Sequence, residues 1–273
     1  MPTASRTWLV TTALMALGLS VAVAQGTREV RKTLPLGKNG QVVVDTYKGS
    51  IRVEPWDRDE IDVVAKIEPE GTGRDAREAA EDTEIEISGS DRTVRIKTDY
   101  DNVRESHSWF FGFFGSGSTQ LPFVHYVIKM PPSAEVRIKD YKSESRISGM
   151  KASVRINTYK GTVDILDHRG GVDLETYKGE AEIEFSSLGG ELSVDTYKGD
   201  IRILLPSKQG FNLDADIGRH GTLDSDFSLR DLRSRRHDGD EKYRGELNGG
   251  GPRILIKTYK GEIRLREGKG KKS

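Results

Sequence analysis

Apolar and polar residues alternate along most of this chain, in short runs that share one layout. Two or three alternating apolar positions lead to a threonine, Tyr-Lys-Gly follows, and the alternation then resumes, as in Val154, Ile156 and Thr158 before Val163 and Ile165. Strict alternation is typical of a strand with one buried face. We therefore predict that each copy consists of two short strands joined at a Tyr-Lys-Gly corner.

The corner recurs along the chain. "TYKG" ends at Gly49, Gly161, Gly179, Gly199 and Gly261, and looser copies, "DYKS" and "KYRG", end at Ser143 and Gly245. Within the central block, the tyrosines of successive copies lie about 18 to 20 residues apart, a period typical of stacked-repeat proteins. The repeat therefore governs the interpretation of the whole chain.

The phase of the alternation changes at each corner. Before the corner the inward residues are two apart and end on the threonine, and the next inward residue follows five positions later, an odd step. A bulge or bend within Tyr-Lys-Gly must absorb the extra residue, and glycine supplies the backbone freedom for it. The chain can thus turn while its apolar side keeps facing inward.

Repeats of this length cannot bury their apolar faces alone, so we predict that they stack on one another. The predicted fold class is all-β: a β-solenoid of rungs of about 18–20 residues that lie ~4.8 Å apart. The run "DAREAAE" at 75–81 predicts one short helix. The segment "TEIEISGSDRTVRIKTD" predicts a hairpin around 89–91, and the charged segment 230–244 predicts a loop.

The first residues have the features of a signal peptide, predicted for 1–24. Arg6 precedes a mostly apolar run at 8–23, and Ala22–Ala24 supplies an A-x-A cleavage site. That run is shorter than the roughly 20 residues a membrane-spanning helix needs, although a retained anchor is the alternative. We predict one domain at 28–266 with an insertion loop at 105–121, followed by a basic disordered tail at 267–273.

Composition narrows the classes of function. Lys plus Arg equals Asp plus Glu at 43 each, so there is no electrostatic basis for predicting nucleic-acid binding. The chain has no cysteine, which excludes disulfides and cysteine metal sites. The predicted signal peptide, in turn, predicts a protein exported through the secretory pathway, periplasmic or at the cell surface.

Stacked rungs would place equivalent side chains in ladders, with tyrosine rings one over another. The ladder has two interpretations: Tyr and Lys cover the corner, or they form an aromatic and cationic strip that binds an extended anionic or sugar polymer. The candidate binding residues are Tyr47, Lys48, Tyr141, Lys142, Tyr159, Lys160, Tyr177, Lys178, Tyr197, Lys198, Tyr259 and Lys260.

A second candidate is the aromatic part of the insertion, "SHSWFFGFFGSGSTQLPF". A loop of this composition can cover an open end of the solenoid, or it can insert into a membrane surface or a partner groove as a peripheral contact. The candidate residues are Trp109, Phe110, Phe111, Phe113 and Phe114.

No motif for catalysis, a cofactor or a metal is present. The acidic stretch Asp214 to Asp226, with His220, is more typical of a solvated strand face than of a metal site. We therefore predict no catalytic residues, no metal and no cofactor. Outward acids do occur on almost every rung, so a carbohydrate-active enzyme on a β-helix scaffold stays an alternative.

Several segments together resemble a known bacterial family. "SIRVEPWDRDEIDVVAK", "FNLDADIGRHGTLDSD" and "GELNGGGPRILIKTYKGEIRL" resemble the "putative adhesin" family of exported domains of unknown function, over Val30 to Leu265. The most specific part is Asn248–Ile263. The resemblance implies a β-solenoid with Thr-x-x-Gly rungs, behind a signal peptide or membrane anchor, and it implies no catalytic residues.

Together these observations predict a non-enzymatic interaction or adhesion module that contacts a cell-envelope polysaccharide or an envelope protein. An envelope-stress accessory protein that docks on a membrane partner is a further alternative. The ligand and the oligomeric state are left open by the sequence.

Overall fold

The computed structural model describes residues 19–24, 26–103, 120–229, 232–237 and 239–268. The fold is an all-β solenoid, as predicted, with one nine-residue helix, α1 (Arg74–Asp82), whose buried residues are Ala79 and Ala80. Residues 101–103 are also helical. The described strands belong to one large sheet that folds into two faces.

Face A contains the strands that precede the corners. In spatial order it consists of β6 (Glu84–Gly89), β7 (Thr93–Asp99), β3 (Gln41–Asp45), β9 (Glu135–Asp140), β11 (Val154–Thr158), β13 (Val172–Thr176), β15 (Leu192–Lys198), the first half of β20 (Arg253–Gly268), the first half of β17 (Phe211–Ser225), β19 (Asp240–Leu247) and β18 (Arg233–His237).

Face B contains the strands that follow the corners. Its spatial order is β1 (Leu19–Ala24), β2 (Thr27–Pro35), β5 (Glu60–Glu68), β8 (Phe123–Met130), β4 (Lys48–Pro55), β10 (Lys142–Ser148), β12 (Thr162–His168), β14 (Glu180–Phe185), β16 (Ile201–Pro206) and the second halves of β20 and β17.

Each central rung takes one strand from each face. β11 and β12 are joined by the corner at 159–161, and the chain returns to face A for β13 through a turn at 169–171. The parallel register pairs equivalent residues, such as Val154 with Val172 and Ile165 with Ile183. The predicted in-register stack is confirmed.

The order of the rungs departs from chain order at both ends of the stack. β20 follows all other described strands in the chain, yet it lies between the β15/β16 rung and β17. The rung of β7 and β8 lies beyond that of β3 and β4, which come first in sequence. Alternation predicts register but not order, because copies with the same pattern fit one another equally well.

Two predictions for the region after residue 229 were wrong. The described part of segment 230–244 is not a loop, since β18 lies in it and β19 begins in it. "KYRG", which ends at Gly245, is not a corner either, because it lies inside β19, antiparallel to β17. These strands lie at the end of face A, where solvated side chains can be charged without disrupting the pairing.

The core lies between the two faces. Buried aliphatic side chains form one cluster that runs from Val30 to Leu265, and Ile156, Leu174 and Ile183 are fully buried within it. Each such side chain contributes roughly 1.5–3 kcal/mol on full burial. The hairpin of β6 and β7 and the helix α1 are where the sequence predicted them.

The start of the described chain overlaps the predicted signal peptide. β1 pairs antiparallel with β2, so residues 19–24 extend face B. Cleavage after Ala24 and the domain limits of 28–266 stay predictions. Among the residues that the structure describes, no helix is long and apolar enough to span a bilayer.

Candidate functional site: the Tyr-Lys column

At two of the corners the threonine closes the turn through its hydroxyl. Thr158 Oγ1 accepts a hydrogen bond from the Gly161 N–H at 3.0 Å, and Thr176 Oγ1 accepts one from the Gly179 N–H at 2.8 Å. Such side-chain-to-backbone bonds stabilise tight turns. Both threonines are buried, so the residue serves the turn and the core together.

The glycine permits close approach between corners. A Cβ added at Gly199 would lie 1.8 Å from the carbonyl oxygen of Gly179, and one at Gly179 would lie 2.3 Å from that of Gly161. At Gly261 the backbone also has φ of +112°, a conformation that favours glycine. The repeated glycine is therefore explained by the close approach of neighbouring backbones.

The corner tyrosines stack in a single file, which we call the Tyr column. Neighbouring ring centroids lie 4.7–5.2 Å apart with interplanar angles of 1–13°. The ladder predicted from the sequence is confirmed. In spatial order its members are Tyr47, Tyr141, Tyr159, Tyr177, Tyr197 and Tyr259.

Two other rings close the column at its ends. Tyr100 meets Tyr47 edge-on at 6.4 Å, and His220 meets Tyr259 edge-on at 5.7 Å. Each interior tyrosine thus has a ring against both of its faces, and its remaining exposure lies at the edge and the hydroxyl. A ligand that needs an open aromatic face, as a stacked base does, finds none along the interior of the column.

A row of lysines accompanies the Tyr column, and we call the two together the Tyr-Lys column. Its exposed members are Lys142, Lys160, Lys178, Lys198 and Lys260. Lys160 Nζ lies 5.4 Å from the Tyr159 ring centroid, and Lys178 Nζ lies 5.3 Å from that of Tyr177. Within the described part of the chain, none of the five has a carboxylate oxygen within 4.0 Å of its Nζ.

Lys48 differs from the other lysines of the row. Its side chain is largely buried, forms an ion pair with Glu70 and places Nζ 4.4 Å from the ring centroid of Phe123. Lys48 is therefore neutralised inside the protein, while Tyr47 remains part of the column. The exposed cationic row starts at Lys142.

The acids that follow the corner glycines do not neutralise the lysines. Glu262 forms an ion pair with Arg264 on its own strand, and Asp200 Oδ1 accepts a hydrogen bond from the Glu262 N–H at 2.9 Å. In three copies the sequence places a carboxylate after the corner glycine, at Glu180, Asp200 and Glu262. The contacts of Asp200 and Glu262 are not with the lysines, so these two acids leave the row without an ion-pair partner.

One corner departs from the others, and the sequence alone identifies it only as a looser copy of the repeat. In the β9/β10 rung, Asp140 replaces the threonine, and its Oδ1 accepts bonds from the Ser143 N–H at 2.9 Å and from Thr158 Oγ1 at 2.8 Å. Burial raises the pKa of Asp140 to about 6, and the two hydrogen bonds only partly offset this effect.

The aromatic candidates of the insertion lie outside the described residues. Trp109, Phe110, Phe111, Phe113 and Phe114 fall within 104–119, between β7 and β8. β7 ends and β8 begins at the edge of the solenoid that carries the Tyr column. The role of the insertion in membrane or partner contact stays a prediction.

The acidic stretch of β17 is engaged by cations. Asp214 pairs with Arg244 at 2.7 Å, Asp216 pairs with Lys242 at 2.6 Å, and Arg266 pairs with Asp224 and with Asp226. Over the described ranges, no three or more His, Cys, Asp or Glu side chains are grouped as a metal site would require.

A serine-histidine contact on the outer surface of face B was missed by the sequence reading. Ser50 Oγ lies 2.8 Å from His125 Nδ1, and His125 Nε2 lies 3.6 Å from Glu68 Oε2. A hydrogen bond from Lys66 holds the pKa of Glu68 below its usual range. The 3.6 Å separation is too long for a hydrogen bond, so the carboxylate does not fix the imidazole as a catalytic triad requires.

The fold and the column together define a β-solenoid repeat protein with a single ordered edge of aromatic and cationic side chains. The chain belongs to the family described as Toastrack DUF4097, whose model matches residues 115–266. The family is one of domains of unknown function, and a search of curated proteins finds no match.

Two solved structures are similar to this chain. A "putative cell adhesion protein" from Clostridium sporogenes shares 11% identity at a TM-score of 0.48, covering 89% of this chain and 100% of the other. A "putative lipid binding protein" from Parabacteroides distasonis shares 12% identity at a TM-score of 0.25, covering 86% of this chain and 96% of the other.

Proposed function

We propose that the protein is a non-enzymatic interaction module of the cell envelope that binds an extended anionic polymer along the Tyr-Lys column. The observation that carries the proposal is the row of five exposed lysines, which have no acidic partner among the described residues and which flank an unbroken stack of tyrosines. The predicted signal peptide supports a site of action in the periplasm or at the cell surface.

Backbone pairing fixes the spacing of the lysines. The N–H groups of Lys160, Lys178 and Lys198 donate to the carbonyl oxygens of the tyrosines one rung below, at 2.8–3.0 Å. The row therefore advances by the strand spacing of ~4.8 Å, and the four steps between its five lysines span about 19 Å. The backbone of the row is therefore ordered before a ligand binds, and only the lysine side chains lose conformational entropy on binding.

Charge favours a polyanion over a neutral polymer. Adjacent ammonium groups at this spacing repel each other by about 1 kcal/mol in water. A chain whose anionic groups recur at about 5 Å would relieve that repulsion along the whole row and release counterions, as polyanions do on basic proteins. The tyrosine hydroxyls beside the lysines can donate hydrogen bonds to the same anionic oxygens.

The covered ring faces narrow the ligand class further. Since the interior tyrosines present edges and hydroxyls, flat stacking of neutral sugars on the column is disfavoured. An acidic polysaccharide or a polyphosphate-like chain supplies the required repeated anions. Between the two ligand types that the sequence left open, the geometry therefore favours the anionic polymer.

The test compares two triple variants that remove equal charge. K160Q/K178Q/K198Q removes three of the five exposed lysine charges of the column. K38Q/K151Q/K208Q removes three exposed lysine charges in the turns at the opposite edge. We expect the column variant to bind alginate and polyphosphate about tenfold more weakly than wild type, with a shallower salt dependence. Dextran serves as the neutral polymer, for which we expect no binding.

The affinities can be measured by isothermal titration at several salt concentrations. Equal losses in the two variants would show that net charge, not the column, attracts the polymer. Unchanged binding in the column variant would leave the Tyr-Lys column with a structural role alone.

A further inference from the structure

One rung of the stack differs from its neighbours at three buried positions. In the β9/β10 rung, Asp140 stands where other corners have threonine, Ser143 stands where they have glycine, and Ser145 stands at an inward position that is aliphatic in the next rungs. All three changes introduce oxygen atoms: Asp140 ends β9 before the corner, and the two serines lie in β10 after it. The Ser143 N–H donates to Asp140 Oδ1 at 2.9 Å across this corner, so we treat the replacements as a group.

These oxygens are buried and unsatisfied. Asp140, Ser143 and Ser145 are 8%, 2% and 3% exposed, and no described residue makes a hydrogen bond to Asp140 Oδ2, Ser143 Oγ or Ser145 Oγ. A buried carboxylate or hydroxyl without a partner is strongly destabilising. Three of them within six residues call for a ligand that supplies what the protein does not.

The neighbouring rungs offer the serine hydroxyls no hydrogen-bonding partner. Ser143 pairs with Gly49 on one side, and Gly161 approaches its carbonyl oxygen on the other, so neither rung places a side chain over its hydroxyl. Ser145 lies between Ile51 and Val163, which have no polar side-chain atoms.

The adjacent hydroxyls are already engaged. Thr46 Oγ1 is bonded to Thr98 Oγ1 at 2.9 Å, and Thr158 Oγ1 donates to Asp140 Oδ1 while it accepts from the Gly161 N–H. The cations nearest in the two rungs are engaged or directed outward as well. Lys48 pairs with Glu70, and the side chain of Lys142 is exposed.

We propose that Asp140, Ser143 and Ser145 form a buried binding site for a single monovalent alkali cation. One positive charge balances the one carboxylate, which a water molecule cannot do. Carboxylate and hydroxyl oxygens are hard ligands that suit cations of this kind. With a single carboxylate, the site has too little negative charge to favour a divalent ion such as Ca²⁺.

The site lies behind Tyr141, the second ring of the Tyr column, and it involves none of the exposed lysines. Its ligand is a bound ion rather than a polymer, so the cation site and the proposed polymer binding stand or fall separately. Bound there, the cation would fix the corner that holds Tyr141 in line with Tyr47 and Tyr159.

The experiment measures thermal unfolding at pH 8 in NaCl, KCl or choline chloride at equal ionic strength. Choline is too large to enter a site between two rungs. We expect Tm of the wild type to be about 3 °C higher in one of the alkali salts than in choline chloride, because a ligand that binds only the folded state stabilises it. CaCl₂ at the same ionic strength should give no larger rise.

Two variants test whether the cation binds at Asp140. Asp140→Thr restores the residue of the neighbouring corners and should abolish the alkali-dependent rise without preventing folding. Asp164→Asn removes one exposed carboxylate from the next rung and should keep the rise. Crystals grown in RbCl should show an anomalous peak beside Asp140 Oδ2.

Three outcomes would overturn the proposal: equal Tm in alkali and choline salts, a rise that persists in Asp140→Thr, or a response to CaCl₂ alone. An ordered water at the site without any cation dependence would likewise show that hydration, not an ion, satisfies these oxygens.

Discussion

The two edges of the solenoid connect the same strands but differ in how uniform they are. At the turn edge the central connections have different lengths and sequences: 149–153, 169–171, 186–191 and 207–210. They stack through backbone bonds, such as Arg169 N–H to Met150 O and Gly189 N–H to Arg169 O, both at 3.1 Å. At the corner edge, four residue types recur almost without change.

The difference shows which part of the corner is more than a turn. A chain can evidently reverse between rungs without a fixed sequence, as the turn edge does. Glycine at the corner is required by the close carbonyl, and the buried threonine serves the core and, at Thr158 and Thr176, a hydroxyl-to-amide bond. Tyrosine and lysine point outward and are required by neither. Their repetition is therefore the strongest support for the proposal that the corner edge is a binding surface.

The largest expected effect comes from adding a methyl group at a corner glycine. Gly199→Ala would place Cβ 1.8 Å from the Gly179 oxygen, whereas Gly37→Ala at the turn edge meets nothing nearer than 3.4 Å. We expect the first to lower the free energy of unfolding by about 3 kcal/mol or more and the second by less than about 1 kcal/mol. Urea denaturation measures both, and equal effects would remove the distinction between the edges.

The next effect concerns the one atypical corner. Because the pKa of Asp140 is raised from 3.8 to about 6, the folded state favours the neutral acid, and stability should fall as pH rises from about 4 through 6. In choline chloride, Asp140→Thr should be more stable than wild type by up to about 3 kcal/mol above pH 6.

That advantage of Asp140→Thr should fall below about 1 kcal/mol near pH 4 and disappear below about pH 3, where the carboxyl is protonated in both the folded and unfolded states. Unfolding curves between pH 3 and pH 8 measure it. A difference that stays constant over this range would show that burial does not control the titration of Asp140.

A smaller effect is expected for one ring inside the Tyr column. Tyr177 stacks on Tyr159 and Tyr197 at 4.8 Å each, so Tyr177→Ser should lower the free energy of unfolding by about 1–3 kcal/mol. Val127 has nearly the same exposure, 37% against 38%, on the outer surface of face B. Val127→Ser is the control, and we expect its loss to be less than half as large.

The smallest effect on stability is expected for the lysines. Lys178 has no acidic partner in the described structure and lies 5.3 Å from the Tyr177 ring centroid. Lys178→Gln removes a weak cation–π contact and also removes repulsion between Lys178 and the neighbouring lysines. Because these two effects oppose each other, the free energy of unfolding should change by less than about 1 kcal/mol. A loss comparable to that of Tyr177→Ser would mean that the lysine row is structural.

The sequence predicted the Tyr column because alternation fixes which residues share a face and glycine fixes where each rung turns. It did not predict that Tyr259 stacks on Tyr197, since the order of equivalent rungs depends on long-range pairing. Burial of Lys48 also escaped prediction, because Glu70 and Phe123 reach it from outside the repeat.

Two further features of the candidate sites needed coordinates. Ser50 and His125 meet only because β4 and β8 are neighbours, which no local pattern indicates. The unsatisfied oxygens around Asp140 were not visible either, because "DYKS" reads as a loose copy of "TYKG". That Asp140, Ser143 and the nearby Ser145 lack hydrogen-bonding partners can be seen only when the neighbouring rungs are known.

The position of β20 imposes an order of events on synthesis. β17 leaves the ribosome before β20, yet β20 separates it from the β15/β16 rung in the finished protein. β17 therefore lacks its parallel partner until β20 has been made. In the meantime β17, β18 and β19 can pair with one another as an antiparallel meander. The pairing of this end of the solenoid can therefore be completed only after β20 has been synthesised and has paired with β15 on one side and β17 on the other.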